Sequence, residues 1–273
     1  MSKKQNSRAP KVELTVILSD IHLEEGREHP AWYAAKQFVK EQRPTRTILA
    51  GDLIDLVTLS PYANDPRLPN EAVRQVKMLA REANELQIYS PLTIMLGNHE
   101  ARWDKVVLGG KQQILAGAKG LDFRSQLVAQ GLSPAIEIAR DEGVGSPGVF
   151  VGSGDGRTLI RHGDKQSNRF GPMHIAHKLL TQSPHVNQVV GHHHRKELRA
   201  HTSLGKTRFA VANGCLAPDH GYSNGGDPQW QRGFTILQHV GDITWPHTIL
   251  IFDGKFVWER KLYDGNKARR RAA

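Results

Sequence analysis

Leu14-Thr-Val-Ile-Leu-Ser-Asp-Ile-His22 is an apolar run that stops abruptly at a serine, an aspartate and a histidine. Such a run reads as a buried strand, about 13–18, and the polar residues behind it as the loop the strand enters. Trp32, Ala35, Phe38 and Val39 then recur at helical spacing up to Pro44, and Thr47-Ile-Leu-Ala50 makes a second strand before Gly51. Pro69 and Asn70 open a second helix with Val73, Val76, Ala80 and Ala83 on one face, and Leu92-Thr-Ile-Met-Leu96 is a third strand before Gly97. Strand, helix, strand, helix, strand implies an open α/β sheet, in which ligands bind at the carboxyl ends of the strands. The loops behind these three strands should therefore share one rim.

Residues 101–147 are less regular and read as connecting or lid structure, with a helix near 111–130. Val149–Val151 and Thr158–Ile160, joined by a glycine-rich turn, form a hairpin that delivers His162-Gly-Asp164. A helix near 172–182 leads to a strand at Val186–Val190 and to Gly191-His-His-His194. Hairpins follow, with strands near 197–203, 207–212, 232–239, 244–252 and 255–261. The expected fold class is α/β: two packed sheets, β-α-β in the first half and antiparallel hairpins in the second, flanked by helices. In domain terms, 1–11 is a flexible basic N-terminal tail, 12–263 a single domain and 264–273 a basic C-terminal tail.

The 273 residues are 38% hydrophobic, enough to bury a core. No stretch approaches the roughly 20 apolar residues that cross a bilayer, and the first residues lead into no signal-like run. A soluble, cytoplasmic protein is expected, with no membrane partner. One cysteine, Cys215, excludes an intramolecular disulfide and a cysteine-based zinc cluster. The formal charge of +10 invites a nucleic-acid reading, but Lys3, Lys4 and Arg8 near the start and Lys267, Arg269, Arg270 and Arg271 near the end account for seven of those charges. The basic tails can touch a polyanion, whereas the body is close to balanced. The sequence carries no signal of oligomeric state.

Fourteen histidines gather near glycines and carboxylates. Five polar segments stand at strand ends: Asp20-Ile-His22, Gly51-Asp-Leu-Ile-Asp55, Gly97-Asn-His-Glu100, His162 and Gly191-His-His-His194. Each alone reads as a turn. Together they concentrate imidazole nitrogen, carboxylate and amide oxygen, the donors of borderline cations. In Asp20-x-His22 and His192-x-His194, alternation along an extended chain would point both side chains the same way.

The order and wording of these segments resemble the calcineurin-like metallophosphoesterase family, whose signature runs D-x-H, GD-x-x-D, GN-H-D/E, an isolated His and GH-x-H. The resemblance spans residues 20–194 and implies a four-layer sandwich and two bound divalent metal ions. By motif, Asp20, His22 and His194 resemble the ligands of one metal and Asn98, His162 and His192 those of the other, with Asp52 bridging. His99 resembles the family's general acid, and Asp55 its orienting partner. The mixed nitrogen and oxygen shell suits Mn²⁺ first, and also Fe, Zn²⁺ or Ni²⁺.

Around this set stand weaker candidates. Arg102, Lys165 and Arg169 follow the motifs and are cations that can grip substrate phosphate, as can Asn98. His193 should point away from the metals and be a bystander. Glu100 reads as a helix-start or supporting carboxylate, and Asp164 as a turn former or a supporting acceptor. The segment Gly221–Gly233, with Trp230 and Arg232, reads as an ordered surface loop with Trp230 buried, or as a rim loop of the site.

Three functional readings follow. A phosphodiesterase acting on nucleic acid or nucleotides is favoured by the diesterase-like Gly-His-x-His. A nuclease with a capping domain is disfavoured because only 79 residues follow His194. A phosphomonoesterase, including a protein phosphatase, is the alternative; in the family's protein phosphatases an arginine follows the second Asp of GD-x-x-D, and here that position is Leu56. A non-catalytic metal-binding scaffold is the third.

Overall fold

The computed structural model describes residues 11–59, 71–109, 120–139, 148–165, 174–218 and 229–272. The opening run forms β1 (Glu13–Leu18), and its side chains serve two cores. Val16 and Leu18 face a helical layer while Ile17 faces a second sheet, as the period of two demands. Helix α1 (Pro30–Gln42) starts where Pro30 supplies a preset φ and the His29 ring accepts the Ala31 N–H, and ends at Arg43 in the left-handed region. Strand β2 (Arg46–Ala50), helix α2 (Glu71–Gln87) and strand β3 (Leu92–Met95) follow as expected.

Later elements are α3 (Glu100–Val107), α4 (Phe123–Ala129), β4 (Glu137–Ile138), β5 (Gly148–Val151) and β6 (Thr158–Arg161). Then come α5 (Ile175–Gln182), β7 (Asn187–Val190), β8 (Lys196–Ser203), β9 (Lys206–Asn213), β10 (Gly233–Val240) and β11 (Ile243–Leu250). The chain closes with β12 (Lys255–Trp258), β13 (Lys261–Asp264) and α6 (Gly265–Ala272).

One sheet has the order β11-β10-β1-β2-β3-β4, with β1 through β4 parallel, and the other the order β5-β6-β7-β9-β8. Ile17, Ile48, Met95 and Leu237 from the first meet Val151, Ile160, Val189, Phe209 and Val211 from the second. Helices α1, α2 and α4 pack outside the first sheet around Trp32, Phe38, Leu79 and Phe123. Helix α5 packs outside the second through Ile175 and Leu179. The layers run helix, sheet, sheet, helix. Strands β6, β7 and β9 are parallel, so the antiparallel hairpins of the second half flank a parallel centre.

Three expectations change. The stretch after residue 101, read as less regular, holds α3, α4 and β4; of the helix expected near 111–130, residues 111–119 lie outside the described residues and the described part contains α4. The strand expected near 255–261 is split into the hairpin β12–β13, because Glu259 and Arg260 reverse the chain with φ of 46° and 65°. Neither is the Asn or Gly that announces such a turn. The segment expected as a basic C-terminal tail forms α6, capped by Asp264, whose carboxylate accepts the Asn266 N–H at 3.1 Å. Gly265 lets α6 approach α1 closely: a Cβ there would collide with the Pro30 carbonyl. Residues 1–10 of the N-terminal tail lie outside the described residues. Among the described residues no helix is long and apolar enough to cross a membrane.

Candidate metal centre

All five polar segments sit at the carboxyl ends of β1, β2, β3, β6 and β7, so the packed sheets bring their rims together. Main-chain bonds lock the first two loops to one another. The Asp20 N–H donates to Gly51 O at 3.0 Å, Ile21 N–H to Asp52 O at 2.9 Å and Leu23 N–H to Leu53 O at 2.8 Å. Asn213, at the end of β9, donates to Ser19 Oγ at 2.9 Å and ties the second sheet to the β1 loop.

The backbone at the site is unusual. Asp20, His22, Asp52, His192 and His194 have φ of 53°, 47°, 50°, 68° and 53°. Side chains other than glycine enter this region at a cost of about 1–3 kcal/mol each, which packing must offset. The two x positions therefore do not act through extended alternation, as the sequence suggested; left-handed residues turn the side chains inward. Two motif glycines answer a steric need. A Cβ on Gly97 would strike the Asp52 carboxylate and main chain, and one on Gly191 would lie 2.6 Å from Asp20 Oδ2.

Two donor groups converge. In the first, His194 Nε2 lies 3.3 Å from His22 Nε2 and 3.4 Å from Asp20 Oδ1. His22 places its Nδ1 3.1 Å from Asp55 Oδ1, so the proton sits on Nδ1 and the Nε2 lone pair faces the group. Burial lowers the His22 pKa, and the bond to Asp55 only partly offsets it, which keeps the ring neutral. In the second group, His162 Nε2 lies 3.2 Å from Asp52 Oδ1 and 3.0 Å from Asn98 Oδ1. His162 Nδ1 donates to Ala50 O at 3.1 Å, which again leaves Nε2 for the site. His192 Nδ1 is buried, has no hydrogen-bond partner, and stands 3.9 Å from Asp52 Oδ2.

Asp20, His22 and His194, and likewise Asp52, His162 and His192, thus offer ligand atoms within 4.8 Å of one another. Inward lone pairs with tautomers fixed from behind, an unpartnered imidazole nitrogen and buried carboxylates fit a divalent cation in each group. Asp52 belongs to the second group, and its charge also acts on His22 and Asp20 of the first.

Without a cation the charges balance internally. Burial opposes ionisation of Asp52, but His162, together with His192 and His99, outweighs it and holds the carboxyl well below its usual range. Burial likewise disfavours a charged His162, yet Asp52 pushes its pKa up to about 10. Asp20 is lowered in the same way, by the His194 bond acting against burial.

Behind these groups lies a relay. The Asp55 carboxylate is 3.1 Å from His22 Nδ1 and 3.2 Å from His99 Nδ1, and those bonds overcome burial to hold it far below the usual carboxylate range. His22, Asp55 and His99 are close enough for a third cation. Their facing nitrogens carry the protons that bind Asp55, so the trio is a hydrogen-bond relay instead. His99 Nδ1 also donates to Asp55 O at 2.7 Å, and Arg102 Nη2 reaches His99 Nε2 at 2.9 Å. A guanidinium only donates, so Nε2 accepts and the ring is neutral in this arrangement. Burial lowers the His99 pKa, but Asp55 and the Asp52 charge more than compensate and raise it, so a second proton can enter once Arg102 leaves Nε2.

Glu100 is fully buried and serves the site through the main chain. Its carboxylate accepts the N–H groups of Asp52 at 3.1 Å, Leu53 at 2.7 Å, Ile54 at 3.1 Å and Gly97 at 2.6 Å. Burial, together with the Asp52 charge, raises its pKa against the pull of these bonds. His193 stays outside both donor groups; burial and the His192 charge push its pKa down to about 4. Lys165 is exposed and pairs with Asp164 at 3.5 Å. Arg169 and residues 221–228 of the expected rim segment lie outside the described residues.

Sequence reasoning did not find three of these relationships: the bond of Asp55 to His22, the four N–H groups on Glu100, and the contact of Trp230 with His194. The first two carried a signal only in that both carboxylates flank metal motifs. For Trp230 the one signal was the reading of Gly221–Gly233 as a rim loop; the residue lies just before β10, distant in sequence from His194.

Comparisons with known proteins bear on this arrangement. Residues 14–217 match the family model described as calcineurin-like phosphoesterase. None of the curated proteins compared matches the chain. Among solved structures, Vps29 from Chaetomium thermophilum is 12% identical with a TM-score of 0.46, covering 93% of this chain and 99% of its own. Vacuolar protein sorting 29 from Cryptosporidium parvum is also 12% identical, with a TM-score of 0.45 over 93% and 98% of the two chains. A dimetal phosphatase from Danio rerio is 9% identical, with a TM-score of 0.43 over 88% and 96%. With residues 14–217 matched by the family model, all five site loops included, the chain belongs to the calcineurin-like phosphoesterase family.

Proposed function

We propose that this chain hydrolyses phosphodiesters of nucleotide or nucleic-acid type, using two divalent cations. The observation that carries the reading is the pair of three-donor groups, with the Asp52 charge acting on both. One cation would be held by Asp20, His22 and His194, the other by Asn98, His162 and His192, with Asp52 between them. Such a pair supplies an acidified water as nucleophile and neutralises charge on the phosphoryl oxygens. Mn²⁺ is our first choice, with Fe, Zn²⁺ or Ni²⁺ as alternatives.

The remaining work falls to the chain. His99 would protonate the leaving oxygen from Nε2, with Asp55 holding Nδ1. Arg102 now covers that nitrogen, 2.9 Å away. Substrate phosphate would draw Arg102 to itself, with Asn98 as a further contact, and so free His99 to donate. The preference for diesters rests on Leu56, which is fully buried in the helical core and offers no cation where protein phosphatases carry an arginine. A monoesterase is the second reading, favoured by Arg102, whose guanidinium suits a dianion.

The full chain with Mn²⁺ should hydrolyse bis-p-nitrophenyl phosphate faster than p-nitrophenyl phosphate. A faster monoester would reverse the preference. No turnover of either ester with Mn²⁺, Fe²⁺, Co²⁺, Ni²⁺ or Zn²⁺ would remove the enzymatic reading altogether.

A further inference from the structure

Among the described residues, Trp230 belongs to none of the three buried apolar cores, although it carries one of the largest side chains. It is partly exposed, and its ring lies against His194, with centroids 4.5 Å apart and planes at 74°. It therefore stands one side chain away from Asp20 and His22. The Arg232 guanidinium lies over the same indole, 5.6 Å from the centroid.

Main-chain bonds fix the residues that follow it. The Gln231 N–H donates to His194 O at 2.8 Å, the Cys215 N–H to Gln231 O at 3.0 Å and the Gly233 N–H to Cys215 O at 2.9 Å. The Lys196 N–H adds a bond of 2.7 Å to the Gln231 side-chain oxygen. An indole held at the rim by neighbouring strands is preorganised, so a ligand that uses it loses little ordering entropy.

Hydrolysis itself needs no indole: neither nucleophile, acid nor phosphate grip calls for one. A small alkyl ester group gains little from such a surface, whereas an aromatic base gains stacking, and a guanidinium beside the ring strengthens a polarised aromatic site. We propose that Trp230, backed by Arg232, is a specificity-determining wall that receives an aromatic base attached to the scissile phosphate, which makes nucleoside esters the substrate class. This inference rests on the phosphoesterase reading above and narrows it.

The test uses the Mn²⁺-loaded full chain, as wild type, Trp230→Leu and Trp230→Phe. Two esters with the same leaving group are compared: thymidine 5′-(p-nitrophenyl phosphate) and methyl p-nitrophenyl phosphate. Trp230→Leu should lose about tenfold in kcat/KM on the thymidine ester, mostly through KM, and change less than about twofold on the methyl ester; Trp230→Phe should recover most of the loss. Calorimetric binding of thymidine 5′-monophosphate and of methyl phosphate gives a readout apart from turnover. The nucleotide should bind wild type about tenfold more tightly, and Trp230→Leu should erase that ratio. Equal losses on both esters, or a binding ratio that survives in Trp230→Leu, overturns the role of Trp230 and leaves the phosphoesterase intact. A binding ratio lost in Trp230→Leu, without turnover of either ester with Mn²⁺, Fe²⁺, Co²⁺, Ni²⁺ or Zn²⁺, supports the wall and overturns the hydrolase. Failure of both phosphates to bind overturns both.

Discussion

Glu100 receives the main-chain N–H of Asp52 at 3.1 Å, and the same carboxylate holds Leu53, Ile54 and Gly97. A residue that opens α3 thus fixes the loop presenting the proposed bridging carboxylate. Glu100→Gln keeps the size but gives up one acceptor and turns an amide N–H toward donors. One buried donor left unpaired costs about 1–3 kcal/mol, and in a chain of this size each kcal/mol lowers the melting temperature by roughly 2–4 °C. The variant should melt about 5 °C lower and retain fewer than two Mn²⁺ per chain. Scanning calorimetry and elemental analysis measure both; unchanged metal content would mean that Asp52 does not depend on this tether.

Asp52→Asn removes the charge that acts on both donor groups while preserving the acceptor for the His99 N–H, 3.0 Å away. Turnover should fall by about 10³-fold or more, with metal stoichiometry reduced toward one. Wild-type rates would show that the two groups do not share this residue.

His99 and Arg102 can be separated by leaving group. His99→Ala should be nearly silent on p-nitrophenyl esters, whose leaving group needs no proton, and cost about 10²-fold or more on an alkyl leaving group. Arg102→Ala should instead raise KM with either leaving group. An equal penalty for His99→Ala on both esters would argue against its role as acid.

Metal loading should release protons. His162, raised to about 10, holds a proton beside Asp52 and Asn98, and a cation that binds there must displace it. Titrating Mn²⁺ at pH 7.5, in two buffers of different protonation enthalpy, should show release of about one proton, and affinity should rise with pH. His162→Gln should abolish that release; heat independent of buffer in the wild type would place the cation elsewhere.

Far from the centre, His239 sets an acid limit on stability. Thr244 donates to Gly156 O at 2.8 Å, so its oxygen accepts from His239 Nδ1, and Nε2 is left to accept from Thr15 at 3.1 Å. Burial lowers the His239 pKa below its ordinary value of about 6.5. A histidine lowered on folding stabilises above the unfolded value, and that stabilisation is lost as pH falls below it. Between pH 7 and 5 the melting temperature of His239→Gln should fall less than that of wild type, by about 2–4 °C for each kcal/mol contributed. Parallel curves would show that His239 titrates freely in the fold.

Much of this was legible in the sequence. The apolar runs ending in Ser19-Asp20, Gly51-Asp52 and Gly97-Asn98 located three parallel strands and their rim, because a strand buried on both faces is continuous and its loop is not. The donor residues were legible because each strand end carries its own short motif. The reason they point inward was not: left-handed φ at Asp20 and His194 follows from bonds between loops distant in sequence. The β12–β13 turn and α6 escaped for local reasons, a reversal without glycine and a helix so rich in arginine that it resembled a solvated tail.

The left-handed donors and the bonds joining the β1 and β2 loops also bear on how the centre would choose its ions. The backbone already holds these donors together, so an arriving cation would meet fixed coordination directions and need not gather them. Such a centre would discriminate by geometry and ligand softness, and the metal it carries would follow supply among cations that suit the same donors.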